Sequence, residues 1–257
     1  MANFHISISC ACDLSPDQIT ALGARFFSTR FIGLSDEPNT IDEYERAYKK
    51  IANGKVRPTP ITTEKVEAYF DEMLEQKNKS LLHISPSSLV SDEGARALRA
   101  TRNEMIKFPR QYVYVLLTST VGAGMQPLFY EMVKLNDGTR SIEEAFVALT
   151  ELERKVVSLC VKKEPNFITV TSAQSTNKLL FKSRSEAQTA KRIADAFLST
   201  SSDTLYISHR SHHSLALKIA ERVQEADPKR KVEISHMSAT SMTAKNSFDL
   251  TIGYVEQ

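Results

Sequence analysis

The sequence has few of the residues that mark several common classes of protein. It contains 8 glycines in 257 residues, and neither the phosphate loop G-x-x-x-x-G-K-[ST] nor the nucleophile elbow G-x-S-x-G occurs. Its 3 cysteines are an odd number, which indicates reduced thiols rather than a disulfide framework. The longest apolar run lies near residues 113–117, far short of the roughly 18 residues that a membrane-spanning helix needs. These absences argue against a P-loop nucleotide-binding protein, a nucleophile-elbow hydrolase, a disulfide scaffold and an integral membrane segment.

The chain also lacks a large excess of either positive or negative charge. The chain has 33 Lys and Arg against 31 Asp and Glu, and its longest block of like charge is residues 229–231. We therefore expect no nucleic-acid partner. The first residues, MANFH, lack the basic and apolar parts of a signal peptide, which favours a cytoplasmic location. A content of 41% hydrophobic and 25% charged residues is typical of a folded globular protein.

Short apolar segments alternate with helical patterns over the first half of the chain. Strands apolar on both faces and separated by helices indicate a mostly parallel sheet covered on both sides. The sequence thus predicts an α/β protein of two domains, an α/β/α sandwich over residues 1–156 and an α+β domain over residues 157–257. In the first domain, strands are predicted at 4–9, 80–85 and 112–117, with helices at 15–24, 44–52, 64–76, 92–106, 126–135 and 142–155. In the second, strands are predicted at 156–161, 167–173, 178–184, 204–209, 231–236 and 250–255, with helices at 186–198 and 214–225.

Three polar segments follow predicted strands: SCACD at 9–13, SPSSLVS at 85–91 and TSTVGAG at 118–124. Because ligands of parallel sheets bind beyond the carboxyl ends of the strands, we expect these segments to line one crevice. Hydroxyls and the free amides of a helix N-terminus suit an anion. The alternative is that Ser91 or Asp92 caps the next helix and Pro86 shapes the turn. For the 85–91 segment alone, capping is the favoured interpretation.

The cysteines and histidines do not match the pattern of a metal site or a catalytic site. Cys10 and Cys12 have no second pair with which to complete a metal site, so buried thiols are expected. The histidines at 209, 212 and 213 match no zinc spacing and are predicted to lie on a solvated turn without a catalytic role. No nucleophile with an evident base is present. The residues favour a protein that holds a ligand, without a metal or cofactor, over an enzyme.

The order of the segments resembles the DegV family of bacterial fatty-acid-binding proteins over nearly the whole chain. Six elements carry the resemblance: SCACDL at 9–14 for the D-S-x-x-D-L turn, PTPITTEKVEAYFDEML at 58–74 for the T-S-Q-P turn and helix, ISPSSL at 84–89 for I-S-S-x-L, VLLT at 115–118 with Gly124, KSR at 182–184, and the strand ending at His209.

The chain also departs from the family's pattern at several positions. Ser9 and Leu117 replace aspartates, a segment in the middle of the second domain is shortened, and no histidine or glycine stands in SATSMTAKNSF (238–248), where the family has H-T-G-P-G.

The resemblance implies the two-domain fold, a buried fatty acid or similar lipid, and transfer of the acid to a fatty acid kinase. It also implies that hydroxyls of the matching turns hold the carboxylate. The residues so implicated are Thr59, Thr62, Ser85, Ser87, Thr118 and Arg184, with Ser241 or Thr243 in place of the missing histidine. Phe70, Phe129 and Phe146 are expected to line an apolar tunnel for the acyl chain. The alternative is a divergent protein of the same fold that has lost the acid, and that binds another small molecule or serves as an interaction module.

Overall fold

The computed structural model describes residues 3–76, 79–174, 178–244 and 248–256. Within these residues the elements follow one another in this order: β1 His5–Ser9, α1 Pro16–Ala21, β2 Arg25–Phe27, β3 Phe31–Ile32, α2 Ile41–Ala52, β4 Arg57–Pro58, α3 Thr63–Leu74, β5 Leu81–Ser85, α4 Glu93–Lys107, β6 Val113–Leu117, α5 Gln126–Leu135, α6 Ile142–Glu153, β7 Val156–Lys163, β8 Ile168–Ser172, β9 Lys178–Ser183, α7 Glu186–Leu198, β10 Thr204–His209, α8 His213–Ala226, β11 Lys231–His236, α9 Ala239–Met242 and β12 Leu250–Val255. Short 3₁₀ turns lie at Cys10–Cys12 and Gly122–Met125.

The first sheet has four parallel strands in the order β2, β1, β5, β6. Helices cover both faces. Leu128 and Phe129 of α5 pack with Ile84 on one side, while Phe70 of α3 packs with Leu81 on the other. This arrangement confirms the predicted parallel sheet between two layers of helices, and it brings the carboxyl ends of β1, β5 and β6 to one edge.

The second sheet is mixed, with six strands in the order β11, β10, β12, β7, β8, β9. Among its described strands, β10 and β11 run parallel and the other neighbouring pairs are antiparallel. Helices α7 and α8 pack on it through Phe197 and Ile219. Its strands begin at Val156, whose own side chain lies in the core of the first sheet. A domain boundary near residue 156 stays a prediction.

The two sheets meet where the Gly122–Met125 turn lies against β12. Ala123 donates its backbone N–H to Thr251 Oγ1 at 3.0 Å. A Cβ atom added to Gly253 would lie 2.4 Å from Ala123 O and 2.5 Å from Gly124 Cα. Backbone therefore packs directly on backbone here, which only glycine permits.

Within the ranges that the structure describes, no helix combines the length and the hydropathy that a membrane span requires.

Candidate functional site

The 85–91 segment leads from β5 into α4 at the predicted edge of the first sheet. Ser91 Oγ accepts the Glu93 backbone N–H at 2.9 Å, whereas the Asp92 side chain makes no capping bond. The first α4 donor is thus satisfied by Ser91, which confirms a capping role for this serine. Helix α4 then places Glu93 beneath the strand ends.

The Glu93 carboxylate is buried among side chains of two neighbouring strands. Its Oε2 accepts a hydrogen bond from Ser9 Oγ at 2.7 Å, and its Oε1 accepts one from Ser85 Oγ at 3.4 Å and lies 3.1 Å from His83 Nε2. The exposed fraction of Glu93 is 1%. We call Ser9, His83, Ser85 and Glu93 the Glu93 cage. Within it the Ser85 hydroxyl is already bonded to a carboxylate of the protein itself.

A row of polar groups continues from the cage into the core. His83 Nδ1 lies 2.9 Å from Ser7 Oγ, which lies 2.6 Å from the Tyr69 hydroxyl. Ser7 and His83 are completely buried. Because neither lines the cavities described below, this serine, histidine and glutamate have the hydrogen bonds of a triad without access for a substrate.

A cavity of about 310 Å³ lies on one side of the 88–92 loop. We call it the first cavity. Of the predicted site residues, Thr59 and Thr243 line it, and both hydroxyls donate to backbone oxygens, Thr59 to Arg30 O at 2.9 Å and Thr243 to Ala239 O at 2.8 Å. The other described lining residues are Thr29, Pro58, Pro60, Ile61, Ser88, Leu89, Val90, Ser91, Asp92, Arg96, Thr240 and Ala244.

A second cavity of about 600 Å³ lies on the other side of the same loop and shares Ser88, Leu89, Ser91 and Asp92 with the first. Ser87 and Thr118 line it. Ser87 Oγ accepts the Leu89 N–H at 3.3 Å, and Thr118 Oγ1 donates to Ser85 O at 3.2 Å. Leu98 and Leu117 form its apolar part and are 43% and 46% exposed. The 88–92 loop is therefore a partition between two cavities.

The remaining predicted residues line neither cavity. Ser85 is bonded within the cage, and Thr62 caps α3 by accepting the Lys65 N–H at 3.4 Å. Ser241 is buried, and its hydroxyl donates to Ala11 O at 3.3 Å. Arg184 is exposed just after the edge strand β9. The structure thus brings Thr59 and Thr243 together in one cavity and Ser87 and Thr118 in the other.

Two further buried carboxylates hold the segment where the family's histidine was expected: Asp13 of the predicted 9–13 segment, and Glu37, which the sequence did not reveal. Glu37 accepts the N–H groups of Ala239 at 2.7 Å and Thr240 at 3.1 Å, and Asp13 Oδ1 accepts both the N–H and the hydroxyl of Ser238 at 3.0 Å. Burial raises the pKa of Glu37 to about 7 and that of Asp13 to about 6. These carboxylates cap α9. Residues 245–247 of the same segment lie outside the described residues.

Arg96 is the residue of the first cavity that sequence analysis missed. It lies on α4, and its Nε is buried without a hydrogen-bond partner among the described residues. The helical period gave a usable signal, because residues four apart share a helix face and Asp92 follows the polar loop directly. A buried guanidinium N–H without an acceptor, beside hydroxyl groups, is suited to an anion.

The phenylalanines expected to line a tunnel lie elsewhere. Phe70 and Phe129 are fully buried in the cores on opposite faces of the first sheet, and Phe146 packs against the core that contains Phe129. None of the three lines the first or second cavity. The apolar residues that line the two cavities include Ile61, Leu89, Leu98 and Leu117 instead.

The histidine and cysteine groups make no metal centre in the part of the chain that the structure describes. Cys10, Cys12 and Cys160 are free, buried thiols, as expected. His209 differs from expectation, because it is 4% exposed rather than solvated. Its ring lies 4.7 Å from that of His236, and burial lowers its pKa to about 4.

Solved structures share this fold although no family model and no curated protein matches the sequence. The fatty acid kinase B3 protein of Streptococcus pneumoniae, solved with linoleic acid, is 16% identical, with a TM-score of 0.79 over 99% of this chain and 100% of that one. A DegV family protein of Thermus thermophilus, described as binding fatty acid, is 15% identical, with a TM-score of 0.80 over 100% of both chains. DegV of Bacillus subtilis, a fatty acid binding protein, is 13% identical, with a TM-score of 0.79 over 100% of both chains. The fold of this chain is therefore that of the DegV proteins over its whole length.

Proposed function

We propose that this protein is a carrier that binds a long-chain fatty acid, or a similar lipid acid, at the carboxyl ends of β1, β5 and β6. The observation that supports the proposal is the position of the two cavities. They flank the 88–92 loop, where sequence analysis expected the ligand, in a fold shared with proteins described as binding fatty acids. We further propose that the carrier is a bacterial, cytoplasmic protein without enzymatic activity, and that a fatty acid kinase receives the acid.

The dimensions of the cavities suit such a ligand. Volumes of about 310 and 600 Å³ fall within the roughly 300–1,000 Å³ of small-molecule pockets. Each buried CH₂ group contributes on the order of 0.8 kcal/mol. An acyl chain therefore supplies most of the affinity and the polar end sets the orientation. The proposed polar contacts are Thr59 and Thr243 for an acid in the first cavity, and Ser87 and Thr118 for an acid in the second. Thr62, Ser85, Ser241 and Arg184 would reach a ligand only after moving.

A second candidate is a protein of the same fold that binds a different small molecule or a protein partner. The internal carboxylates favour it. Glu93 already accepts hydrogen bonds from the Ser9 and Ser85 hydroxyls, and Glu37 accepts them from the first two N–H groups of α9. A ligand carboxylate that needed these donors would have to displace a buried carboxylate, and that costs several kcal/mol.

Mass spectrometry of organic extracts of the purified protein tests the carrier function, together with titration of a fluorescent long-chain fatty acid. Leu89 lines both cavities, so Leu89→Asp should abolish binding by placing a charge in the acyl path. Leu217→Asp is the matched control, because Leu217 is 40% exposed on α8. Stoichiometric acid in the extract, and loss of binding only in Leu89→Asp, would support the carrier. An empty extract and no binding by the parent would favour the second candidate.

A further inference from the structure

The Arg96 side chain is half-buried and has a hydrogen-bond donor without an acceptor among the described residues. Its Nε is shielded from solvent and donates to no acceptor among the described residues. The described residues include no carboxylate within 4.0 Å of its guanidinium group. A buried N–H of a cation without an acceptor is unfavourable, so such a group is satisfied when an acceptor binds.

The first cavity supplies room for that acceptor beside Arg96. Among the described lining residues Arg96 is the only cation and Asp92 the only carboxylate. Lys65 lies beside the lining, but its Nζ is already engaged, because it donates to Pro60 O at 2.9 Å and to Thr59 Oγ1 at 3.4 Å. The Thr62 hydroxyl lowers the pKa of Glu64, which lies outside the lining, and Arg96 lowers it further. With carboxylates near the one cation of the described lining, the cavity suits an anion of a single charge better than a dianion.

Hydroxyl groups and apolar side chains complete the lining around Arg96. Ser91 Oγ accepts from the Glu93 N–H, and a serine hydroxyl that accepts one bond still has its own proton to donate. Ile61 and Leu89 also line this cavity. A ligand with a carboxylate at one end and a hydrocarbon chain beyond it matches this combination of polar and apolar groups.

The other strong donors of the crevice are engaged within the protein. The cage serines bond to Glu93, and the first N–H groups of α9 bond to Glu37. Arg96 is different, since binding an anion there breaks no hydrogen bond of its Nε. A ligand carboxylate at Arg96 leaves all the internal carboxylates in place.

We propose that Arg96 binds the carboxylate of the acid in the first cavity, in place of the Ser85 hydroxyl. This assignment rests on the proposed carrier function and names the residue that selects an acid over a neutral lipid of the same length. The guanidinium group offers two parallel N–H donors, a geometry that matches a carboxylate.

Competition binding with oleic acid and oleyl alcohol tests the assignment, with a fluorescent fatty acid as the displaced probe. Arg96→Gln should weaken oleic acid by about 10- to 100-fold, the loss expected for a hydrogen bond to a charged group. It should leave oleyl alcohol unchanged. Arg96→Lys should fall between the parent and Arg96→Gln, because a lysine keeps the charge without the paired donors.

Arg99→Gln is the matched control, since Arg99 is exposed on the same helix and lines neither cavity. It should bind both lipids like the parent. The unfolding midpoint of Arg96→Gln should stay close to that of the parent, because Nε loses no partner and the attraction between Arg96 and the exposed Glu64 is screened by solvent. Equal oleic acid affinity in Arg96→Gln and the parent, or equal loss of acid and alcohol, would overturn the role of Arg96 and leave the carrier function standing. A parent that binds neither lipid would overturn both.

Discussion

Removal of the Glu93 carboxylate is expected to be among the most destabilising single changes near the site. Glu93→Ala deletes the acceptor of two serine hydroxyls and the partner of His83, in a place where Glu93 is 1% exposed. Hydrogen bonds to a charged group contribute roughly 1.5–3 kcal/mol each. Because the Ser85 contact is long, at 3.4 Å, we expect a loss of about 3–5 kcal/mol, close to two such bonds rather than three. Glu93→Gln keeps one acceptor oxygen and should lose less.

Urea unfolding followed by circular dichroism measures this loss. The slope of the free energy of unfolding against urea should stay constant while the midpoint falls. Asp92→Ala is the matched control, because the adjacent carboxylate is exposed and makes no capping bond. It should change stability by less than about 0.5 kcal/mol. If Glu93→Ala cost no more than the control, the cage would contribute nothing to stability, and the view that Ser85 is committed to Glu93 would be wrong.

Two other predictions concern the pH dependence of stability and the contact between the sheets. Burial, with Asp71 nearby, raises the pKa of Glu104 from 4.5 to about 8; folded protein thus retains a proton that unfolded protein releases, and the free energy of unfolding should fall as pH rises through this interval. Glu104→Gln should flatten the decline in urea midpoints measured between about pH 5 and about pH 8, and an unchanged decline would contradict the assignment. Gly253→Ala should cost roughly 1–3 kcal/mol or more, because its Cβ would meet the backbone of Ala123 and Gly124. A thermal unfolding midpoint equal to that of the parent would show that the two sheets separate easily at this contact.

The regular elements were predictable wherever a period or a cap marks them. Helix α7 begins and ends as predicted, since Ser185 caps it by accepting the Gln188 N–H at 3.1 Å. Strand β10 does so as well. The elements that were missed are β2, β3, β4 and α9, which have two to four residues each. Segments that short are too brief to display a period of 2 or 3.6 residues.

The edge of the sheet at which the polar loops meet was predictable, but the contacts of their side chains were not. The strand-end loops do lie at one edge of the parallel sheet, as the rule for such sheets requires. Which hydroxyls remain available there depends on partners remote in the chain, since Ser9 bonds to Glu93 across 84 positions and Ser238 to Asp13 across 225. Composition and spacing carry no information on such pairs.

The amino-acid sequence by itself determined the layered α/β architecture and the polar edge of the first sheet, because periodicity, caps and strand-end loops act over neighbouring residues. Only the tertiary structure decided that Ser85 is bonded to Glu93, that Glu37 and Asp13 hold α9, and that Arg96 keeps an unpaired donor beside a cavity. The physical reason is that a buried polar group is satisfied by whatever the folded chain brings within about 3 Å of it. The partner of Ser85 exists only after α4 has packed on the first sheet, and the partners of α9 exist only after the two halves of the chain have packed together.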